Sequence, residues 1–326
     1  MKNRPIVLIA GEPYSIFYEI FLKSLKNKKI KKIRSPIILI GSKKLLEDQI
    51  NFYNYKFYIN EIDKNFSKLI KYKNNQINII NVNFNYKKIF DKISDKSNNY
   101  INDCCDIAID LVKKKKVKIL INGPISKKNF LKKKYAGMTE YFASKTGNKN
   151  KEVMLIYNNI LSVSPITTHL PLKKIFSKIT KKKIINNVKT INNFYIKYLK
   201  KKPKIALTCM NPHCESFENK SEEDKIISPA IKQLKKSKII VSGPFPADTI
   251  FLEKNYKKFN VVVGMFHDQV LTPIKTIYGF DAINITLGLP FLRITPDHGP
   301  NESMLGKNKS SADSLINALL FTNKIK

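Results

Sequence analysis

Arginine is nearly absent from this chain: Arg4, Arg34 and Arg293 are the only three among 60 Lys and Arg residues. Base readout and bidentate phosphate contacts favour the planar guanidinium. A net charge of +35 carried by lysines spread over the whole sequence therefore reads as solvated faces under a genome-wide bias toward Lys, Asn and Ile. It does not read as a specific nucleic-acid site, although weak, salt-sensitive adhesion follows from such charge, and small anions are steered in. No run of about 18 apolar residues exists, so no membrane span is expected. The apolar start has no small-residue cleavage site behind it and is expected to be a first β-strand. Cysteine is scarce too, with Cys104, Cys105, Cys209 and Cys214. Adjacent cysteines are poor disulfide partners, and reduced thiols in a cytoplasmic protein are expected. The dinucleotide fingerprint GxGxxG is absent. No repeat and no flexible linker interrupts the chain.

What is present is an alternation of short β-rich runs with helical stretches, in a chain of 326 residues, 43% of them hydrophobic. Strands are expected at 5–10, 36–40, 117–121, 153–156, 161–166, 204–208, 239–241, 260–263 and 282–286. Residues 100–116 carry an i, i+3, i+4 apolar stripe that includes Cys104 and Cys105, which are expected to face a core. Ser228-Pro229 reads as an N-cap with proline at the first helical position. The alternation argues an α/β protein with mostly parallel sheets, and GEP, GPIS, LPL, GPFP and TPDHGP read as turns. The polar stretch 60–99 reads as an excursion.

In such sheets chemistry collects where strands end. Three of the four histidines stand there: His169 in TTHLPL, His213 in MNPHCES and His267 in VVVGMFHDQ. Three neutral imidazoles converging from strand ends could bind a divalent metal and leave positions open for substrate. No short HxxxH spacing defines such a site locally, and Cys209, His213 and Cys214 form a rival set of soft ligands. Downstream, Lys275, Asn284 and Arg293 recur near the ends of apolar runs and suit a phosphate or carboxylate. A chain that has nearly abandoned arginine keeps one in FLRITPDHG, where lysine cannot replace bidentate anion binding. GPISKK following a strand offers either amides for a phosphate or an ordinary N-capped helix.

Taken in order, GEP, NGPISK, GMTEYFA, THLPL, MNPHCE, GPFPADTIF, MFHDQVLTPIK and RITPDHG run from end to end of the chain. The chain resembles the 4-hydroxythreonine-4-phosphate dehydrogenase (PdxA) family of vitamin B6 synthesis. The resemblance implies an α/β fold similar to isocitrate and isopropylmalate dehydrogenases, with two α/β/α domains flanking a cleft: 1–125 with 278–326, and 126–277. It implies a homodimer with active sites at the subunit interface, no specific nucleic acid and no membrane. It implies NAD and a divalent metal (Zn, Mg, Mn or Co) held by His169, His213 and His267, some reaching across from a partner subunit. Thr139, Lys275, Asn284 and Arg293 would contact substrate, and Asp297 and His298 would meet NAD. Asp248 and Asp268 are both candidates for proton transfer or for orienting a ligand. The implied reaction is oxidation and decarboxylation of 4-phosphohydroxy-L-threonine to 3-amino-2-oxopropyl phosphate.

Two departures stand out. The family's usual His-Thr is Met138-Thr139 here. The glycine-rich first turn is replaced by GEPYSIFYE, where Tyr14, Ser15, Phe17 and Tyr18 occupy positions that glycine would leave open. Another phosphorylated hydroxy acid or a cis-diol is the alternative substrate. A catalytically impaired binding protein and a lysine-rich nucleic-acid binder are the other classes.

Overall fold

The computed structural model describes residues 4–68, 75–132, 134–135, 137–215, 221–279, 282–296 and 298–325. Among them are twelve strands: β1 (Ile6–Ile9), β2 (Ile37–Gly41), β3 (Tyr58–Glu61), β4 (Gln76–Asn81), β5 (Ile119–Asn122), β6 (Val153–Tyr157), β7 (Ser162–Pro165), β8 (Ile205–Thr208), β9 (Val241–Phe245), β10 (Val261–Gly264), β11 (Ile283–Leu287) and β12 (Leu292–Thr295). The chain forms two compact units, Met1–Glu152 with Leu289–Lys324, and Val153–Gly288 with Ile325–Lys326. The exchanges between units thus come at 152/153 and 288/289, where 125/126 and 277/278 were expected. The GPIS turn and the helix Met138–Lys145 stay with the first unit. Phe142 on that helix is fully buried and meets Phe291 edge-on at 6.2 Å between ring centres.

The first unit has strand order β3-β4-β2-β1-β5-β12, and its pairings are parallel. Parallel strands covered on both faces must be apolar throughout, and β1 (IVLI) and β2 (IILIG) are buried at every position. The helix Phe17–Lys26 buries Phe17, Tyr18, Ile20, Phe21, Leu22 and Leu25. Its Glu19, 1% exposed, accepts hydrogen bonds from Lys23 Nζ (2.8 Å), Tyr53 OH (3.3 Å) and the Ser310 amide (2.7 Å). That carboxylate ties the returning C-terminal segment to the first helix.

The second unit has order β11-β6-β7-β10-β8-β9. Strands β7, β10, β8 and β9 run parallel, and β6 is antiparallel to both β7 and β11. Its core includes Leu161, Val163, Ala206, Val262, Val270 and Ile274.

Each of the nine expected strands is present, and the sheets are mostly parallel. Cys104 and Cys105 are buried on the helix Asn98–Lys113. Three strands escaped the sequence reading: β3 and β4 inside the polar excursion, and β12 around Arg293. Two local expectations need correction. GPFP is not simply a turn, because β9 runs through Gly243 and Pro244. Proline is tolerated there since β9 is the edge strand of its unit. A Cβ on Gly243 (φ +130°) would stand 2.5 Å from Leu207 O, so only glycine fits. Ser228 is not an N-cap. Its backbone is already helical (φ −61°, ψ −42°), following a wide turn over Glu223–Ile227. The capping contact lies upstream, where Ser221 Oγ accepts from the Asp224 amide at 3.3 Å. All four cysteines are free thiols. Among the described residues no helix is long and apolar enough to cross a membrane.

Candidate active site

In the second unit β7, β8 and β10 end in the segments that carry His169, His213 and His267. Past β10, Gly264 permits a tight turn: a Cβ there would stand 2.4 Å from Val270 Cγ1. The helix His267–Tyr278 then begins on the histidine itself. Beside it, the Ile166 amide donates to Gly264 O (2.8 Å), and Thr167 donates from both its amide (3.2 Å) and Oγ1 (2.8 Å) to Met265 O. This pairing brings the rings of His169 and His267 to 5.6 Å between centres, tilted by 42°. His267 Nδ1 lies 2.7 Å from Asp268 Oδ1. A carboxylate that accepts the Nδ1 proton fixes the tautomer and leaves Nε2 as the ligating atom.

His213 sits on a strained loop. It and Cys214 are consecutive residues at positive φ, +56° and +62°. Its side chain is 72% exposed, with Nδ1 3.8 Å from Asp248 Oδ2. The loop is held from below by Glu223, which is buried. One oxygen accepts from the Met210 amide (2.8 Å) and the Asn211 amide (3.0 Å), and the other from Asn211 Nδ2 (2.9 Å). Burial alone would raise the Glu223 pKa, but the donors of Asn211 and Met210 more than reverse it and hold the carboxyl below its ordinary value.

The soft-ligand alternative is unsupported, because among the described residues Cys209, His213 and Cys214 do not form a group that could hold a metal ion. Without a metal, burial and the neighbouring Cys209 thiol push the Cys214 pKa up to about 12. Cys209 Sγ spends its proton on Asn211 O at 2.9 Å. Lys275 lies exposed on the helix His267–Tyr278. Asn284 on β11 has a buried Oδ1 with no hydrogen-bond partner, an acceptor facing no donor.

In the first unit Arg293 on β12 is 3% exposed. Its Nη1 donates to Thr139 Oγ1 at 3.0 Å, and its guanidinium carbon stands 5.6 Å from the centre of the Phe142 ring. Burial lowers its pKa to about 10 against the opposing pull of Glu140, so the cation persists at neutral pH. Two residues expected to touch substrate are therefore in direct contact. Met138, at the start of the same helix, is buried. His298 places Nδ1 3.2 Å from Gly299 O; Asp297 lies outside the described residues.

The first turn is packed shut. Gly11 (φ +77°) could carry no side chain, since a Cβ would stand 2.4 Å from Pro124 O. The Glu12 amide donates to that same oxygen at 2.9 Å. The Phe17 ring fills the space beside Gly123, 2.8 Å from where a Cβ would be. Glu12 is 1% exposed, and its Oε2 has no hydrogen-bond partner. Burial raises its pKa to about 7, with Glu302 adding to the rise and the Ser97 hydroxyl and Tyr14 amide opposing it. GPISK proves to be a capped turn: Ser126 Oγ accepts from the Asn129 amide at 3.3 Å.

The structure thus groups His169 with His267 and Asp268, His213 with Asp248, and Thr139 with Arg293. Among the described residues no three His, Cys, Asp or Glu side chains gather closely enough to hold a metal ion. The pair that does gather suits one. Two imidazoles on a single ion, with bonds of about 2.0–2.1 Å, set their ring centres roughly 5–6 Å apart at ordinary bond angles, and 5.6 Å lies in that range. Sequence reasoning missed Gln269, Glu223 and Glu12. Gln269 and Glu12 stand inside motifs quoted for other residues, whereas Glu223 in SEED carries no local signal.

Comparison with known proteins gives the chain's relatives. Residues 32–322 match the family model described as pyridoxal phosphate biosynthetic protein PdxA. A 4-hydroxythreonine-4-phosphate dehydrogenase of Sulfurihydrogenibium sp. (strain YO3AOP1) is 37% identical over 318 residues, 96% of each chain. A protein of Oceanobacillus iheyensis provisionally named a D-threonate 4-phosphate dehydrogenase is 32% identical over 331 residues, 98% of this chain and 97% of its own. The crystal structure of a 4-hydroxythreonine-4-phosphate dehydrogenase from Burkholderia phymatum superposes with a TM-score of 0.84 at 25% identity, covering 99% of this chain and 98% of the other. A β-decarboxylating dehydrogenase of Thermococcus kodakarensis shares the fold at a TM-score of 0.52 and 11% identity, over 97% of this chain and 82% of its own. The chain belongs to the PdxA family of pyridoxal phosphate biosynthetic proteins.

Proposed function

We propose that this dehydrogenase oxidises 4-phosphohydroxy-L-threonine with NAD and a divalent metal, and that loss of carbon dioxide then gives 3-amino-2-oxopropyl phosphate. The observation that carries the reading is the His169–His267 pair at 5.6 Å, with Asp268 on the Nδ1 face of His267. His169, His213 and His267 would hold the metal, in a homodimer whose second copy completes the site. Bound there, the metal supplies Lewis acidity to the hydroxyl being oxidised and to the electrons left by the departing carboxylate. NAD, when bound, would supply the acceptor for the hydride on the carbon bearing the 3-hydroxyl.

The chain's own groups do the rest. Arg293, steadied by Thr139 and the Phe142 ring, would hold an anionic group of the substrate in one orientation; Lys275 is the second unit's candidate cation for an anionic group. Asn284 Oδ1, buried and lacking a donor, suits the substrate ammonium. Asp268 orients His267. Asp248, 58% exposed and 3.8 Å from His213 Nδ1, is the better placed of the two aspartates to take up the hydroxyl proton. His298 would meet NAD; Asp297, assigned with it, lies outside the described residues. Free thiols suit a cytoplasmic enzyme.

The test is NADH formation from 4-phosphohydroxy-L-threonine, with and without chelator, followed by restoration with zinc, magnesium, manganese or cobalt. Chelator-sensitive, metal-restored turnover is expected. Turnover indifferent to chelation sinks the metal assignment. Buried Met138 and the full-length likeness to a relative named for D-threonate 4-phosphate favour a second reading, another phosphorylated hydroxy acid. A faster rate on that substrate would establish it.

A further inference from the structure

One side-chain amide joins the histidine-bearing strand ends of the second unit. Gln269 Oε1 accepts from the Met265 amide at 2.7 Å and from Thr208 Oγ1 at 2.7 Å. Gln269 Nε2 donates to Cys209 O at 2.8 Å. Thr208 closes β8, and Cys209 follows it on the way to His213; Met265 stands between β10 and His267. Met265 O in turn takes both donors of Thr167, two residues before His169. The three segments thus share one hydrogen-bonded frame, in which the Gln269 side chain reaches from β8 to β10. Thr208, Thr167 and Met265 are buried and Gln269 is half-buried, so water competes poorly for these bonds.

The chemistry of the position is specific to an amide. It needs an oxygen with two lone pairs for two donors and, in the same plane, an N–H for a carbonyl. A carboxylate of the same shape keeps the acceptor and turns an anionic oxygen on Cys209 O. A thioether of similar length keeps none of the three bonds.

We propose that Gln269 is a positioning residue for the divalent-cation site: its amide sets the β8 end that carries His213 against the β10 end that carries His267. The inference rests on the metal reading above. Gln269 acts on the ion only through the placement of His213 relative to the His169–His267 pair.

The experiment is a Co2+ titration of metal-depleted, full-length protein, read by cobalt absorption and by calorimetry, with thermal unfolding measured alongside. Gln269→Glu and Gln269→Met are each expected to weaken Co2+ about tenfold, the lower end of what misoriented ligands cost. In a His213→Ala background the same Gln269→Glu change is expected to cost less than twofold, because the histidine it places is gone. Thr208→Val removes one bond of the frame and leaves Gln269 in place, which keeps the test open if the Gln269 variants are unstable; a loss of about threefold is expected. Wild-type Co2+ affinity in the Gln269 and Thr208 variants, with affinity lost in His213→Ala, overturns the positioning role alone. Fully additive losses in the double variant overturn it too. Unchanged affinity in His213→Ala removes the metal reading and the positioning role with it.

Discussion

Replacing Glu12 by Gln should make the protein more stable at pH 8 and leave it almost unchanged at pH 5. Glu12 is 1% exposed, and one of its oxygens has no partner. Burial, helped by Glu302, lifts its pKa from 4.5 to about 7. The folded chain therefore holds this proton more tightly than the unfolded chain does. Below pH 4.5 both states are protonated and there is no penalty. Between 4.5 and 7 the unfolded chain releases the proton first, so stability falls as pH rises; above 7 the full penalty stays constant. A shift from 4.5 to about 7 corresponds to about 3 kcal/mol. Gln carries no such charge and keeps an oxygen for the Tyr14 amide, so the variant should gain about 2–3 kcal/mol at pH 8 and under about 1 kcal/mol at pH 5. Urea unfolding of both proteins at the two pH values measures the difference directly. A gain equal at both pH values would show that ionisation is not its source. A variant less stable at pH 8 would refute the reasoning outright, because the carboxylate would then be ionised and stabilised in the fold.

Arg293→Lys should lower kcat/KM for the phosphorylated substrate by about 100-fold, since it loses the Thr139 contact at 3.0 Å and bidentate anion binding, together about 3 kcal/mol. The Kd for NAD should move less than threefold, and equal losses in both would make Arg293 structural. Glu223→Ala should free the Met210 and Asn211 amides it now accepts from. Their hydrogen exchange should speed up by about 30-fold, the equivalent of about 2 kcal/mol, and unchanged exchange would mean the loop holds itself. Because the Glu223 carboxyl is held below its ordinary value, its contribution is present at neutral pH and is lost as pH falls through the folded pKa. Glu19→Ala should cost about 2 kcal/mol in urea unfolding by taking the acceptor from the Ser310 amide and the Tyr53 hydroxyl, while Lys23 keeps the Asn308 and Ser310 carbonyls; a loss below about 0.5 kcal/mol would show that the C-terminal segment docks without it.

The strands that announced themselves most plainly were those with uninterrupted Ile, Val and Leu, such as IVLI and VVVG. The three that did not each contain a polar residue whose partner lies far off in sequence. Asn78 in β4 is 3% exposed because its Nδ2 donates to Ile37 O (3.1 Å) and its Oδ1 accepts from Asn60 (2.8 Å). In an asparagine-rich chain such a residue looks like every other surface Asn. β12 was hidden by Arg293, which reads as chemistry and is also a strand residue. The histidines were legible because the chain has only four and three follow strong strands. Gln269 and Glu223 were not, since their importance lies in backbone groups they meet 12 to 60 residues away, and no local pattern encodes that.

The first unit's strand β12 arrives only after the whole stretch Val153–Gly288 has been made. At ordinary translation rates that interval lasts on the order of ten seconds. During it β5 has lost its neighbour on one side, and Ile119, Leu120 and Ile121 present an unpaired apolar edge that Leu292, Arg293 and Ile294 will later cover. Such an edge is a template for wrong pairing. The residue proposed to grip the substrate is therefore also one of the last to close the sheet, and the β5 edge stays open until that arginine has been synthesised.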